Sequence, residues 1–418
     1  MPDSSFFTDP AILSLLSAAA VLLLAQVYTK SVLHRQPLPR MKTWRVFRNG
    51  EPNEALVLQD TGDETAKSLP QPKGADVLIR VSHAALNPAD LMFMRSIPTW
   101  LPFRRHPIPG IDFAGEIVAL GPKAATWPAH AADPLTVGTR VAGCLSVRLV
   151  TLGQGTLVEY LTVPADLVAR QLDVSFGSGG SSADMGAPSA GVLGCAGQTA
   201  HLAAADPCAE AAFALPTPPR VLINGASGSV GSLLVQICKA RGAHVTGICS
   251  GKNEAFVHGL GADDVVDYTQ HDPHPTLPDH LAATPAYTGS NAFDLIFDCV
   301  GDPLLFFRSP AYLKPHGALL NIVGGGPMML LRTTLNQLLP SFLGGTPRTY
   351  KLLALGPSGE QARAVRKWAT GAKPLIKEMP IDSVFSMAEV KKAYARQATK
   401  RARGKIIVQV QADERASK

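Results

Sequence analysis

The chain lacks any Cys-x-x-Cys pair: its six cysteines (Cys144, Cys195, Cys208, Cys238, Cys249 and Cys299) are scattered singly. A four-cysteine structural zinc lobe is therefore excluded. Cysteines placed one by one in apolar segments read as buried, reduced thiols, which suits a cytosolic compartment. Lysine and arginine are missing from the first 29 residues. That argues against a secretory signal, which carries positive charge ahead of its apolar run, and against an arginine-rich transit peptide. Acid is missing from residues 29–48, where Lys30, Arg35, Arg40, Lys42, Arg45 and Arg48 supply the whole of the net charge of +6. The remainder is balanced, so no nucleic-acid surface is expected.

The most informative stretch that is present runs VLINGASGSVGSLLVQICKAR over residues 221–241. Val221–Ile223 has the length and apolarity of a buried strand. Gly225, Gly228 and Gly231 follow at three-residue intervals, and Val230, Leu233, Leu234 and Ile237 form a helical stripe. A pyrophosphate needs backbone amides at close range and a helix N-terminus aimed at its charge, so side chains must be absent at the turn. Strand, glycine turn and helix together predict a dinucleotide site.

A second absence selects the dinucleotide. The next strand, His244–Cys249, ends in Ser250-Gly251-Lys252-Asn253, where an NAD site would place a carboxylate for the ribose 2′-hydroxyl. A hydroxyl and an ammonium suit a 2′-phosphate instead, so the cofactor read here is NADPH. The alternative is an ordinary polar turn with a surface lysine. Further strands are predicted at Asp264–Tyr268, Phe293–Val300, Ala318–Val323 and Tyr350–Leu355, with helical stretches between them, as a doubly wound parallel sheet requires. The segment His271–Asn291, with four prolines, reads as a surface loop.

Several separated motifs resemble the medium-chain dehydrogenase/reductase superfamily, and within it the zinc-free quinone oxidoreductases of the zeta-crystallin type. They are Asn87-Pro88-Ala89-Asp90, Pro109 through Gly115, Val137 through Val141, and Gly155-Thr156 with Glu159-Tyr160 and Val163-Pro164. Gly197-Gln198-Thr199-Ala200, the glycine turn, Cys249-Ser250 and Arg403 through Val408 complete the set. The resemblance spans roughly residues 41–410. It implies an α/β protein in which a GroES-like, partly open β-barrel domain joins a doubly wound Rossmann domain, here preceded by a single N-terminal hydrophobic helix. The expected division is 1–40 membrane anchor and basic linker, 41–188 first part of the GroES-like domain, 189–371 Rossmann domain, and 372–418 a return segment completing the first domain. Strand-like segments Val77–Val81, Phe113–Val118 and Leu157–Val163 agree with it.

The resemblance also implies site roles. Asn87 and Thr199 should lie beside the nicotinamide as the catalytic pair, with Val323 and Gly324 on its amide side. Ser227, Gly228, Ser229 and Val230, with Gly225 and Gly231, should hold the pyrophosphate. Ser250, Lys252 and Tyr268 should meet the 2′-phosphate. Asn87 also reads as a cap before Pro88, and Tyr268 as a strand-end surface aromatic. Zinc-dependent members need three ligands; here Asn87 and Asp112 stand near two of those positions and only Cys195 remains, so no metal is expected. Asp112 reads as structural, accepting backbone amides.

Two segments depart from the family pattern. Phe176–Ser189 is rich in glycine and serine and reads as a loop, and Arg104-Arg105-His106 reads as a solvated basic loop in preference to an anion site. Ala11–Tyr28 is 18 residues without a charge, followed by the six bases. It predicts a single-pass anchor with residues 41–418 in the cytosol, the endoplasmic reticulum favoured and mitochondria as the alternative. The expected activity is zinc-independent, NADPH-dependent reduction of a small lipophilic quinone or α,β-unsaturated carbonyl. An accessory enoyl or carbonyl reductase of a secondary-metabolite pathway and a non-catalytic NADPH-binding scaffold are the alternatives, and a homodimer is left open.

Overall fold

Apolar residues on successive strands set up a two-stranded, a seven-stranded and a six-stranded sheet. In the computed structural model, the described residues are 41–61, 71–101, 104–130, 134–173, 185–270, 272, 274–323, 332–333, 336–337 and 339–411. The Ala11–Tyr28 segment and Gly324 lie outside them. Among the described residues no helix is long and apolar enough to cross a membrane.

The N-terminal part begins with an antiparallel pair, β1 (Met41–Val46) and β2 (Leu56–Thr61). A seven-stranded sheet follows from β3 (Asp76–Leu86), β4 (Asp112–Leu120), β5 (Arg140–Cys144), β6 (Tyr160–Pro164) and β7 (Val168–Arg170). Its last two strands come from the far end of the chain, β14 (Ile381–Ser386) and β15 (Lys405–Gln409). β15 runs antiparallel to β3 with Ile406 opposite Leu86 and Val408 opposite Ala84. Residues more than three hundred positions apart thus share one core, with Phe113, Ile117, Val141, Ile406, Val408 and Tyr394 all buried in it.

Between these pieces lies a six-stranded parallel sheet: β8 (Arg220–Asn224), β9 (His244–Cys249), β10 (Asp264–Asp267), β11 (Phe293–Asp298), β12 (Leu313–Asn321) and β13 (Thr349–Leu352). The spatial order β10-β9-β8-β11-β12-β13 reverses direction at β8, which is the switch point of a doubly wound sheet. Both faces are covered, and the two-residue period shows it. Val221 and Ile223 point into one core with Leu233, Leu234 and Ile237, while Leu222 packs on the opposite face with Ile248, Ile296 and Phe293.

Two sequence expectations are corrected. Of the segment read as a loop over Phe176–Ser189, residues 176–184 lie outside the described residues, and its end opens the helix Gly186–Leu193, six of whose eight residues are buried. Tertiary burial overrides the weak helix propensity of glycine and serine there. The proline-rich stretch His271–Asn291 contains the helix Leu277–Ala283, started by the Thr276 hydroxyl, which accepts from Asp279 N at 3.3 Å, with Pro278 in the first turn. Proline is favourable at that position, where no intrahelical N–H bond is lost.

Candidate active site

The dinucleotide cradle forms at the C-terminal ends of β8, β9 and β10. Gly225 has φ of 81°, a left-handed conformation that turns the chain off β8. A Cβ on Gly231 would stand 2.2 Å from Gly225 O, so only glycine lets the helix Ser229–Ala240 sit this close to the strand. No side chain caps that helix, and a Cβ on Gly228 would meet only Gly225 O at 3.3 Å. Gly404 bridges to Gly228 on one side, and with no side chain over the helix N-terminus its dipole is left to act on an anion, which fits a pyrophosphate. Ser227, Ser229 and Val230 surround this end of the helix.

Beside it, Ser250, Gly251, Lys252 and Asn253 follow β9 as a short 3₁₀ turn, with Lys252 exposed. Tyr268, 48% exposed, donates its amide to Cys249 O at 3.1 Å and so stands next to that turn. The Asp267 carboxylate also lies here, accepting from Thr269 N at 2.9 Å and from the Gly251 amide. Burial acts to raise its pKa, but these hydrogen bonds outweigh it and hold the group below the usual carboxylate range. Val323 is half-exposed beyond β12, its amide donating to Asn321 Oδ1 at 2.9 Å.

Asn87 and Thr199 belong to a second cluster, in the barrel domain and at its junction with the Rossmann part. Asn87 precedes the helix Pro88–Ser96 and is 4% exposed. Its amide nitrogen donates to Asp112 Oδ2 at 2.9 Å, and its Oδ1 accepts from Lys405 Nζ. Lys405 Nζ also stands 3.0 Å from Asp112 Oδ2, and the two side chains are 1% and 0% exposed. Asp112 Oδ1 takes the Cys195 amide at 2.7 Å, the first residue of the helix Cys195–Ala204. Thr199 lies one turn later, its Oγ1 3.9 Å from Cys195 Sγ. Asp112 thus accepts a backbone amide, and it is also the counterion of a buried ammonium. Burial acts to lower the Lys405 pKa, but Asp112 outweighs it and holds the ammonium above the ordinary lysine range. Asp90 Oδ2 accepts from Asn87 N at 2.8 Å, and burial pushes its carboxyl up to about 8.

One short stretch joins the clusters. Gly404 N donates to Ser227 O at 2.9 Å, and the Arg403 guanidinium donates to Lys252 O at 2.6 Å and to Asn253 Oδ1. Asn253 Nδ2 in turn donates to Ser227 Oγ at 3.1 Å. Arg403, Gly404 and Lys405 therefore clamp the cofactor turn with two residues and the cleft network with the third. Sequence reasoning quoted this tripeptide without giving it a role. The signal was a lysine opening an otherwise apolar strand, Lys405-Ile406-Ile407-Val408, where a charge must be paired. Arg104 is also corrected: it is 3% exposed and donates to the carbonyls of Val150 and Thr151 rather than to solvent.

Residues 73–173 match the model of the alcohol dehydrogenase GroES-like domain, and residues 260–408 that of the zinc-binding dehydrogenases. A medium chain reductase, pydE, from Acremonium sp is 35% identical over 384 residues, covering 88% of this chain and 99% of the relative. The chain belongs to the medium-chain dehydrogenase/reductase superfamily, in its quinone-oxidoreductase-like branch. The trans-enoyl reductase poxH of Penicillium oxalicum is 32% identical over 405 residues, covering 89% of this chain and 98% of the relative. The quinone oxidoreductase of Coxiella burnetii shares the fold with a TM-score of 0.67 at 23% identity, over 89% of this chain and 100% of the other. The protein is an oxidoreductase that uses a nicotinamide cofactor, so the non-catalytic scaffold is set aside.

Proposed function

We propose that this reductase is a zinc-independent, NADPH-dependent enoyl reductase, acting on a C=C bond polarised by an adjacent carbonyl, with quinones as the second substrate class. The observation that carries the reading is Lys405 Nζ at 3.0 Å from Asp112, inside the cluster that also holds Asn87 and Cys195. A zinc ion beside that buried ammonium would meet like charge, and Asp112 has already committed both oxygens to hydrogen bonds. The residues do not fit a metal, so activation rests on positioning. The relative named as a trans-enoyl reductase supports enones over quinones.

NADPH supplies a hydride when bound. The amides at Ser229 and Val230 would hold its pyrophosphate, Ser250 and Lys252 with Tyr268 its 2′-phosphate, and Val323 with Gly324 the amide side of its nicotinamide. Thr199 would face the ring, while Asn87, its amide tied to Asp112 and Lys405, would fix the wall behind it. Deletion of no residue is needed to test this: NADPH oxidation is followed with a panel of enoyl thioesters, simple enones and quinones, with chelator present. Turnover of enones that survives chelation is the expected result. Zinc-restored activity, or turnover of quinones alone, would overturn the reading. Each charge-assisted contact contributes about 1.5–3 kcal/mol, so NADPH should bind more than tenfold tighter than NADH. Lys252→Ala should remove most of that difference.

A fungal secondary-metabolite setting is the second reading, favoured by the two fungal relatives. A lipophilic intermediate would suit an enzyme tethered by residues 11–28.

A further inference from the structure

Neither cofactor binding nor hydride transfer uses the two cysteines beside Asp112. Cys144 ends β5 directly opposite Asp112 in the antiparallel register with β4. Cys195 reaches the same carboxylate through its amide, at 2.7 Å from Oδ1. Residues from two different elements are therefore fixed to one side chain. The Cys144 thiol donates to Leu145 O at 3.6 Å, and the Cys195 sulfur lies 3.9 Å from Thr199 Oγ1, so both thiols sit beside Asp112 without a strong partner. Their exposures differ: Cys144 is 1% exposed, whereas Cys195 is partly open. Burial, with Cys195 and Asp112 beside it, pushes the Cys144 thiol well above the ordinary range, so it stays protonated and inert until its neighbour changes.

We propose that Cys144 and Cys195 form a dithiol modification site that a hydroperoxide oxidises to a disulfide. In the first step the Cys195 sulfur attacks the peroxide: an S–O bond forms, the O–O bond breaks, and the alcohol or water leaves with the thiol proton. Cys195 is then a sulfenic acid. In the second step the Cys144 sulfur attacks it, the S–S bond forms, the S–O bond breaks, and the Cys144 proton leaves in water. Two thiols are oxidised and one peroxide is reduced. A disulfide needs its sulfurs about 2 Å apart, so the start of the Cys195–Ala204 helix must shift toward β5. Thr199 rides on that helix and Asp112 is bonded to its first amide, so the oxidised form should lose turnover.

The test uses the full-length chain, reduced and then exposed to hydrogen peroxide. Intact mass should fall by two hydrogens, peptide mapping should place the link between Cys144 and Cys195, and NADPH-dependent turnover should drop at least tenfold and return with dithiothreitol. Cys144→Ser should abolish the mass loss and leave a sulfenic acid on Cys195 that dimedone traps. A link between Cys238 and Cys299 instead, no link at all, or a mass loss that persists in Cys144→Ser would overturn the proposal. The mass measurements do not depend on which substrate is reduced, so they stand or fall apart from the enoyl reading.

Discussion

Replacing Lys405 by methionine keeps much of the side-chain volume but leaves the Asp112 carboxylate buried without its counterion. Removing one partner of a buried pair destabilises by about 3–5 kcal/mol. Lys405→Met should therefore lower the urea midpoint, and it should lower kcat more than it changes the KM for NADPH, because the ammonium touches the cleft network rather than the cofactor turn. An unchanged kcat in folded protein would deny Lys405 its positioning role. Asp90 carries a different signature. Its carboxyl is pushed up to about 8 by burial, from 3.8 when exposed, so the folded chain binds a proton that the unfolded chain has released. The sign follows: this group's contribution makes stability fall as pH rises from about 4 to 8, with no further change above. Asp90→Asn should flatten that part of the pH profile relative to wild type, measured by denaturation at pH 5 and 8.5. Equal slopes in both proteins would show that Asp90 is ionised in the fold.

At the scale of elements, the turn between β8 and the Ser229–Ala240 helix is the most exacting. A methyl group at Gly231 would stand 2.2 Å from Gly225 O, and the contact is to backbone, which has little room to yield. Gly231→Ala should destabilise by about 1–3 kcal/mol through overpacking. It should also weaken NADPH by more than tenfold, since the helix N-terminus moves off its aim. Calorimetric titration checks this, and unaltered affinity would mean that the pyrophosphate is held elsewhere. The helix itself was legible because its apolar stripe repeats every three to four residues after a strand and three glycines. The Gly186–Leu193 and Leu277–Ala283 helices were not, since one is short and built of small residues and the other begins with prolines that read as breakers.

For the whole molecule, the return of the chain's last stretch decides both stability and function. β15 pairs with β3 from more than three hundred residues away, and Arg403 and Gly404 fasten the same segment to the cofactor turn. Removing residues 1–40 touches none of these contacts, because β1 starts at Met41. The truncated chain should fold and bind NADPH, and it should leave the membrane fraction if residues 11–28 are the anchor. Full-length protein found in the supernatant after carbonate extraction would end the anchor proposal. Removing residues 400–418, by contrast, should abolish folding, as β15 fills the barrel core with Ile406 and Val408 and packs Ile407 into the core on its other face.

By itself the sequence determined what rests on local chemistry. A glycine at every third position between a strand and an amphipathic helix admits few other structures, whereas the Asp267 carboxylate reached the Gly251 amide after β9 only through the pairing of β10 with β9. Tertiary structure decided what depends on residues distant along the chain. Lys405 became the partner of Asp112 and Asn87 only because β15 crosses beside β3 and β4. Arg104 became buried only because the carbonyls of Val150 and Thr151 converge on it. Cys144 and Cys195 met only at Asp112. Periodicity reports which face of an element is apolar, whereas the partner of a buried charge is chosen by long-range packing, which no local pattern encodes.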